Sequence, residues 1–475
     1  MTRRQFLGST AAALGAQTKR PPNIILILAD DQGYGDLGCY GSPYIRTPNI
    51  DRMAREGARC TDFYAQPLCG PSRAALLTGS YPARNSLNFN HLPRAATGIH
   101  PNEITIPELL KQANYATQMI GKWHLGDAKE FLPTRNGFDD WFGLPYSNDM
   151  WPYHPKVTRT GKETAIEKAV RERAESTGFD GQGQHYPPGW FPPLPLMRGE
   201  RVIETNPDQS TLTARYTSEA LRFITANQAN PFFLYLAHAM PHVPLFPGKD
   251  FNDKSLRGRY GDVIEELDNS TGRILAKIKE LNLDANTLVI YTSDNGPWLP
   301  YGIDAGSAGP LKGGKGTVWE GGIRVPAIFR WPGRIPANTV TSQIAATIDL
   351  LPTFAAAAGL GPPADRKLDG HNLLPLLTGA VNQGPREHFY YFDTAIRYTP
   401  EQGRPASNTN LLAIRSGRWK LHLNSGALYD LQSDIGETRD VAPRHSQLIQ
   451  GLRETAAKFL SELRAKLRPL ATLTL

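Results

Sequence analysis

The sequence predicts an α/β fold with a large, mainly parallel sheet flanked by helices, and a smaller C-terminal antiparallel sheet with one helix. Four short, almost uninterrupted apolar segments are typical of strands buried on both faces of a parallel sheet. These segments are Asn23–Ala29, Ala116–Ile120, Phe232–Ala237 and Thr287–Tyr291. Helical patterns separate them, and strands that alternate with helices indicate parallel pairing. The Gly/Pro-rich linker at Gly361–Arg366 precedes the second, smaller sheet.

Apolar residues at helical spacing predict the connecting helices. These helices are expected over Ile50–Glu56, Pro107–Ala113, Ser218–Ala226 and Val263–Leu281. The C-terminal sheet is expected from the strand-like runs Phe389–Phe392, Leu411–Ile414 and Trp419–Leu423. A final amphipathic helix carries apolar residues from Leu448 to Leu467, and we interpret its apolar stripe as core packing.

The chain has 475 residues, which is enough for one large domain and a smaller one. We predict an N-terminal signal over residues 1–20, a main domain over 21–365 and a C-terminal subdomain over 366–475. Within the main domain, Pro152–Pro195 is rich in proline, glycine and aromatic residues. It is expected to form a long surface loop or lid, although a tolerated insertion would have the same composition.

The composition excludes several classes of protein. With 40% hydrophobic and 20% charged residues, the chain is expected to be globular rather than disordered. No apolar run approaches the length of about 18 residues that a membrane span needs, and no Lys/Arg block indicates nucleic-acid binding. The net charge of +7 suits an anionic substrate, but solvated surface charge is a common cause of such a value.

The three cysteines exclude a disulfide-rich scaffold. If Cys69 is used chemically, only a bridge between Cys39 and Cys60 remains possible. We favour the simpler interpretation that Cys39 and Cys60 are buried thiols.

The N-terminus has the features of an export signal. Arg3 and Arg4 are followed by Phe6 and Leu7 and then by a short, weakly apolar stretch from Gly8 to Ala16. This pattern resembles a twin-arginine signal, and the stretch is too short to span a bilayer. A frayed basic terminus is the alternative.

Polar residues follow each of the four predicted strands directly. Asp30 and Asp31 follow the first, Lys122 and His124 the second, His238 and His242 the third, and Asp294 and Asn295 the fourth. Ligands of open α/β sheets bind beyond the carboxyl ends of the strands. One such cluster alone is as well explained by capping and turn residues, but four together indicate a shared site.

The residues after the first and fourth strands predict a cation site. Asp30, Asp31 and Asp294 supply carboxylates and Asn295 supplies an amide oxygen, and such oxygen ligands suit Ca²⁺ or Mg²⁺ rather than Zn²⁺. Three carboxylates gathered together repel one another, and a bound metal ion would relieve that repulsion.

A helix N-terminus is predicted next to Cys69. Pro71 suits the first helical position, Ala74–Leu77 continue the helix and Gly79 ends it. The free N–H groups and the helix dipole would favour an anion there and lower the pKa of a thiol. Arg73, one turn along, could clamp two oxygens of a tetrahedral oxyanion. A buried cysteine at a helix–loop junction remains an alternative.

The segment Leu68-Cys69-Gly70-Pro71-Ser72-Arg73, followed by Leu76-Leu77-Thr78-Gly79, resembles the signature of type I sulfatases. Five further segments resemble other motifs of that family, and they occur in the same order along the chain. They are Asp30–Asp36, Gly121–Gly126, Pro241–Leu245, Ser293–Gly296 and Lys312–Arg324. The run Phe142–Ser147 is similar to the branch that contains arylsulfatase A and N-acetylgalactosamine-6-sulfatase. The resemblance extends from about Asn23 to Leu428–Leu431 and implies the alkaline phosphatase-like fold.

The resemblance implies a role for each matching residue. Cys69 would be oxidised to Cα-formylglycine by a formylglycine-generating maturation enzyme. Ca²⁺, with Mg²⁺ possible, would be held by Asp30, Asp31, Asp294, Asn295 and residue 69. Arg73 would anchor formylglycine and sulfate, and the residues around the sulfate would be Lys122, His124, Ser147, His242 and Lys315. Lys312 competes with Lys315 for that role, and the spacing before Thr317 favours Lys315. His238 has no assured counterpart and is expected to be a strand-end residue.

The resemblance also implies the chemistry, which is hydrolysis of a sulfate ester to an alcohol and inorganic sulfate. One hydroxyl of the hydrated aldehyde, activated by the metal and Asp294, would attack sulfur to give a covalent sulfo-formylglycine intermediate. His242, with Lys315, would protonate the departing alcohol. His124 would remove the proton of the second hydroxyl, so that sulfate leaves by C–O cleavage.

Two other functions remain open from the sequence. A phosphonate or phosphodiester hydrolase of the same superfamily could share the fold, the aldehyde and the metal. A non-catalytic protein that binds sulfated glycans would result if Cys69 is never oxidised. The expected substrate is a sulfated small molecule or polysaccharide, with sugar rings stacked on Trp151, Tyr153, His154, Tyr186 or Trp190 unless these pack the loop itself. Export by the twin-arginine machinery would place the protein in the periplasm or outside the cell.

Overall fold

A computed structural model describes residues 20–179, 181, 185–394 and 409–473. Of the predicted signal, only Arg20 falls within these ranges. The described strands are β1 (Asn23–Ala29), β2 (Ala58–Tyr64), β3 (Thr97–Gly98), β4 (Ala116–Gly121), β5 (Asp140–Gly143), β6 (Pro195–Arg198), β7 (Arg201–Thr205), β8 (Phe232–Ala237), β9 (Thr287–Ser293), β10 (Arg324–Arg330), β11 (Thr339–Thr341), β12 (Ala345–Ala346), β13 (His388–Phe392), β14 (Leu411–Ser416), β15 (Trp419–His422), β16 (Leu428–Asp430) and β17 (Ala471–Thr472). The described α-helices are α1 (Pro48–Arg55), α2 (Cys69–Thr78), α3 (Ile106–Lys111), α4 (Ala165–Ser176), α5 (Leu212–Ala226), α6 (Gly258–Glu280), α7 (Glu320–Ile323), α8 (Leu350–Ala357), α9 (Leu374–Leu377) and α10 (Ser446–Ala465).

The main sheet has the order β11-β2-β10-β9-β1-β8-β4-β5-β6-β7, with β12 also paired to β2. The central strands β9, β1, β8, β4 and β5 are parallel, and antiparallel strands flank them on both sides. The predicted mainly parallel sheet is therefore confirmed, and all four predicted strands are present. The fourth is two residues longer than expected because β9 continues to Ser293.

Both faces of the main sheet are covered, which explains the continuous apolar runs. In β1, Ile25 and Ile27 face one core cluster, while Ile24, Leu26 and Leu28 face another. Residues of α1, α5 and α6 complete the first cluster, and residues of α2, α3 and α8 complete the second. Side chains alternate between the two faces of a strand, so a strand buried on both faces is apolar along most of its length.

The segment Pro152–Pro195 is not a plain loop, because it contains the twelve-residue helix α4. Thr164 caps this helix by accepting a hydrogen bond from the Glu167 N–H, and the Glu167 carboxylate accepts from the Thr164 N–H in return. Such a capping box stabilises a helix start. The aromatic residues around it contact one another, with Trp151 on Tyr153, His154 on Tyr186 and Tyr186 on Trp190. They therefore pack the segment itself.

The C-terminal antiparallel sheet, in the order β13-β14-β15-β16, is confirmed, and α10 packs against β14. The exact boundary between the main domain and the C-terminal subdomain remains a prediction. The end of the chain returns to the main domain, where β17 pairs with β3. None of the helices in the described ranges has the length and apolarity that crossing a membrane would require.

Buried charges join the C-terminal sheet to the main sheet. The Lys420 ammonium group of β15 lies 3.0 Å from the Glu320 carboxylate and 2.9 Å from the Glu437 carboxylate, and it also donates to the Val318 carbonyl. Lys420, Glu320 and Glu437 are all fully buried. The contact holds the start of α7 and the loop that precedes it against the C-terminal sheet.

Replacing Lys420 with methionine should destabilise the protein strongly, because Glu320 and Glu437 would keep buried charge without this partner. We expect the free energy of unfolding to fall by about 3–5 kcal/mol, measured by urea denaturation. Arg418→Met is the matched control, since Arg418 pairs with Asp430 at a half-exposed position. Arg418→Met should lower the free energy of unfolding by about 1 kcal/mol or less. Equal losses in the two variants would contradict this account of the interface.

Candidate active site

Residues that follow four neighbouring strands meet at one edge of the main sheet. Strands β9, β1, β8 and β4 lie side by side, with Ala29 paired to Ser293 and Gly121 paired to Ala237. Gly121 has a φ of +103°, and a Cβ there would lie 1.7 Å from the Ala237 carbonyl oxygen. Only glycine therefore allows the chain to leave β4 so close to β8.

Asp30 and Asp31 lie directly beyond β1 and are buried. Asp31 has a φ of +67°, which is unusual for a residue other than glycine. Its N–H donates to Asp294 Oδ1 at 3.0 Å, and its Oδ1 accepts from Asn295 Nδ2 at 2.7 Å. The ends of β1 and β9 are thus tied together through their own polar residues.

Cys69 is the first residue of α2, two positions before the predicted start at Pro71. Proline is tolerated in the first turn because the N–H groups there have no partner within the helix. The buried Cys69 Sγ lies 3.4 Å from Asp30 Oδ1 and 3.7 Å from Asp31 Oδ1. The start of the helix therefore places Cys69 next to the carboxylates beyond β1.

The prediction that the helix N-terminus lowers the pKa of the Cys69 thiol is wrong. Burial raises this pKa well above its usual range, and Asp30 and Asp294 raise it further. Lys122 and Lys315 act in the opposite direction but do not outweigh burial. The unmodified thiol is therefore protonated and poorly nucleophilic in this structure.

Arg73, one turn along α2, is fully buried and links two strand ends. Its Nε and Nη2 donate to Asp294 Oδ2 at 3.2 and 2.8 Å, and its Nη1 donates to the Lys122 carbonyl at 2.5 Å. Burial alone would lower the pKa of the guanidinium, but Asp294 and Asp30 raise it. Arg73 is thus a fixed positive charge at the centre of the cluster.

Lys122 and Lys315 bring two further positive charges. The Lys122 Nζ donates to Asp30 Oδ2 at 2.6 Å and to Ser147 Oγ at 3.1 Å. The Lys315 Nζ donates to Asp31 Oδ2 at 2.8 Å, and burial, which would lower its pKa, is outweighed by that carboxylate. Carboxylates and ammonium groups therefore alternate around Cys69.

Lys312 lies elsewhere. Its Nζ donates to the Glu437 carbonyl at 3.3 Å and sits 3.7 Å from the centre of the Trp319 ring. Of the two lysines that the sequence left in competition, Lys315 is the one that contacts the carboxylate cluster.

His242 joins the cluster through its Nε2, which lies 3.4 Å from Ser147 Oγ and 3.5 Å from Asp31 Oδ2. Its Nδ1 lies 2.6 Å from the Val243 carbonyl oxygen. A carbonyl only accepts hydrogen bonds, so Nδ1 carries the hydrogen and Nε2 is the nitrogen that exchanges a proton in the site.

His124 and His238 differ in their surroundings. His124 is buried, and neither ring nitrogen has a hydrogen-bond partner among the described residues. Burial, assisted by Lys122 and Arg73, lowers its pKa well below the usual range, so the ring is neutral and can accept a proton. His238 instead lies 3.5 Å from Ser270 on α6 and contacts none of the carboxylates described above.

The donor set fits a divalent cation. Oxygen atoms of Asp30 and Asp31 lie within 4.8 Å of Cys69 Sγ and a His242 ring nitrogen. The Asn295 Oδ1 is buried and has no hydrogen-bond donor among the described residues, although its Nδ2 is bonded to Asp31. An orphaned amide oxygen beside buried carboxylates suits a hard cation with oxygen ligands.

Sequence reasoning missed three residues around this centre. Trp298 packs against His242 and lies beneath the Lys315 ammonium group, at ring-centre distances of 5.3 and 4.4 Å. His91 is a buried neighbour of His124, and Asp149 is a buried neighbour of His242. Trp298 lies three positions after Asn295, and Asp149 lies two positions after Ser147. This closeness to predicted site residues was the sequence signal that could have identified them. Nothing in the sequence marks His91.

Comparisons with known proteins agree with this geometry. The family model described as Sulfatase matches residues 22–360, more than half of the chain. A second model, for the C-terminal region of N-sulphoglucosamine sulphohydrolase, matches residues 314–466.

Individual relatives are similar over most of their length. N-acetylgalactosamine-6-sulfatase of Canis lupus familiaris is 41% identical over 432 residues, which cover 88% of this chain and 75% of that protein. Arylsulfatase A of Homo sapiens is 41% identical over 418 residues, covering 87% and 76%. The solved structure of a sulfatase from Pseudoalteromonas sp. superposes with a TM-score of 0.76 at 27% identity, covering 94% of this chain and 90% of that one. The fold is the alkaline phosphatase-like fold.

Adding a divalent cation to protein stripped by a chelator should raise its unfolding temperature. At a concentration of about 100 times the Kd, binding stabilises the folded state by about 2.7 kcal/mol. Asp31→Asn should lose most of this shift, measured by scanning calorimetry with Ca²⁺ and Mg²⁺. Asp36→Asn is the matched control, because Asp36 is equally buried but is held by Tyr260 and backbone N–H groups. If the cation still raised the unfolding temperature of Asp31→Asn by the same amount, the ion would bind elsewhere.

Proposed function

We propose, from the premise that this chain belongs to the sulfatase family and is a sulfuric ester hydrolase, that it hydrolyses sulfated carbohydrates at the site around Cys69. The observation that carries the proposal is the position of Cys69 Sγ, 3.4 and 3.7 Å from two buried carboxylates that hold lysine ammonium groups. Such a centre can hold a cation and a tetrahedral anion side by side.

The nucleophile is Cys69 after oxidation to Cα-formylglycine by a maturation enzyme. Two facts support the modification: the segment Leu68–Arg73 matches the family signature, and burial keeps the thiol protonated. The hydrated aldehyde would supply a hydroxyl group where the thiol has no useful reactivity.

The cation is Ca²⁺, with Mg²⁺ as the alternative. Asp30, Asp31, Asp294 and Asn295 would hold it together with residue 69, and the orphaned Asn295 Oδ1 supports this set. The ion would supply positive charge to polarise the reacting oxygens.

Arg73, Lys122 and Lys315 bind the sulfate group, and Ser147 helps to orient it. These basic side chains are buried and already fixed by carboxylates, so they need little rearrangement to meet the charge of the ester. Preorganised charges of this kind stabilise a transition state effectively.

Two histidines transfer protons. His242, protonated at Nε2 and assisted by Lys315, would donate to the departing alcohol. His124 is neutral because burial lowers its pKa, and it would accept a proton from the side chain at position 69. The tautomer of His242, fixed by the Val243 carbonyl, directs the reactive nitrogen to the site.

The carbohydrate substrate class is supported by the relative named N-acetylgalactosamine-6-sulfatase.

The function is tested by sulfate release from a panel of monosulfated sugars, with an aryl phosphodiester for comparison. Wild-type protein should prefer sulfate esters, and its peptide across Cys69 should have lost one sulfur and two hydrogens and gained one oxygen. Cys69→Ala should lower kcat/KM by at least about 10³-fold. Cys39→Ala, a cysteine outside the cluster, should retain activity. Equal activity in Cys69→Ala and wild type, or preference for the phosphodiester, would refute the proposal.

Lys315→Met should lower kcat on 4-nitrophenyl sulfate by about 10²–10³-fold, because a preorganised charge at the transition state is lost. Lys312→Met removes the same group from the same loop but not from the carboxylate cluster. We expect its kcat to stay within about tenfold of the wild-type value, measured by steady-state kinetics. A comparable fall in kcat in the two variants would contradict the claim that Lys315, and not Lys312, acts in the site.

We also propose that Arg3 and Arg4 direct export through the twin-arginine machinery to the periplasm or the exterior. Replacing both with lysine should leave the protein in the cytoplasmic fraction, detected by immunoblotting of cell fractions. Unchanged export of the double variant would refute the proposal that Arg3 and Arg4 direct export.

A further inference from the structure

Asp149 is a buried carboxylate beside the proposed site. None of the roles described above explains it. It lies two residues after Ser147, whose Oγ contacts both Lys122 and His242. Only 7% of Asp149 is exposed. Its Oδ2 is 3.6 Å from His154 Nε2, and its Oδ1 has no hydrogen-bond donor among the described residues.

The carboxyl group of Asp149 is charged. Burial opposes the charged form, but His242, His154 and Lys315 outweigh it and lower the pKa of Asp149 below its usual range. An ionised carboxylate only accepts hydrogen bonds. A buried acceptor without a donor is costly to maintain, so a donor from outside the protein is the natural partner of Oδ1.

Asp149 is one of the residues that line a cavity of about 240 Å³. Asp149, Trp151 and Tyr301 border it, and so do Val243 and Pro244, which directly follow His242 in the chain. His242 Nε2 is the proposed proton donor to the departing alcohol. The cavity therefore borders both Asp149 and the segment that directly follows the proposed proton donor.

We propose that Asp149 determines specificity, because its Oδ1 accepts a hydrogen bond from a hydroxyl group on the carbon next to the sulfated carbon. The preferred substrates are then sulfate esters of polyols, such as sugars, rather than esters whose alcohol has a single hydroxyl. This inference rests on the proposed function, and it adds a named recognition contact to it.

A purely electrostatic role for Asp149 predicts a different result. If the carboxylate acted only through the charges of His242 and Lys315, its removal would slow the hydrolysis of every sulfate ester alike. A hydrogen bond to a neighbouring hydroxyl affects only the esters that carry that hydroxyl. Two esters that differ in this one group can therefore distinguish the roles.

The probes are catechol monosulfate, which has a hydroxyl next to the ester, and phenyl sulfate, which lacks it. We expect Asp149→Ala to lower the ratio of kcat/KM for catechol monosulfate to that for phenyl sulfate by about tenfold or more. Asp149→Asn keeps the shape and a weaker, neutral acceptor, and should give an intermediate ratio. The control is Asp304→Ala, since Asp304 borders the same cavity but accepts from Arg173; its ratio should match wild type.

An unchanged ratio in Asp149→Ala, with both esters slowed equally, would overturn the inference. Activity on phenyl sulfate shows that each variant is folded. Failure of the proposed function has a different signature, in which wild-type protein with modified Cys69 releases sulfate from neither ester.

Discussion

Compensation of charge in a site closed to solvent is the constraint on which the rest of the structure depends. Asp30, Asp31 and Asp294 are buried against Arg73, Lys122 and Lys315, so the carboxylates and the basic side chains balance. Breaking such a buried set by removing one partner typically costs about 3–5 kcal/mol. A divalent cation added to a balanced centre leaves two positive charges in excess. That excess is what an anionic sulfate group requires, and the proposed function follows from it.

The fold supplies this centre by bringing distant parts of the chain to one edge. Four adjacent parallel strands end there, and α2 points its first residue, Cys69, at the same place. The loop that carries Lys315 precedes α7 and is held by the C-terminal sheet. There, Lys420 donates to the Val318 carbonyl and pairs with Glu320 and Glu437. The smaller sheet thereby supports the position of Lys315, which lies in the connection between two strands of the larger sheet.

The sequence predicted the parts of this arrangement that depend on local pattern. Nearly continuous apolar runs identified β1, β4, β8 and β9, because strands buried on both faces have few polar positions. It could not predict how burial competes with the helix dipole at Cys69, since desolvation depends on every surrounding element. His91 was missed for a similar reason, because its neighbour His124 comes from another segment of the chain. Asp149 was missed because His242 and Lys315, which surround it, lie far away in the chain. The helix α4 was hidden inside a segment whose composition indicated a loop.

The most direct test of the central claim is a crystal structure of the modified protein with Ca²⁺ and inorganic sulfate. The account predicts one cation about 2.3–2.6 Å from oxygens of Asp30, Asp31, Asp294 and Asn295. It also predicts a sulfate ion in contact with Arg73, Lys122 and Lys315. A cation bound away from these carboxylates, or a sulfate that contacts Lys312 instead of Lys315, would contradict it.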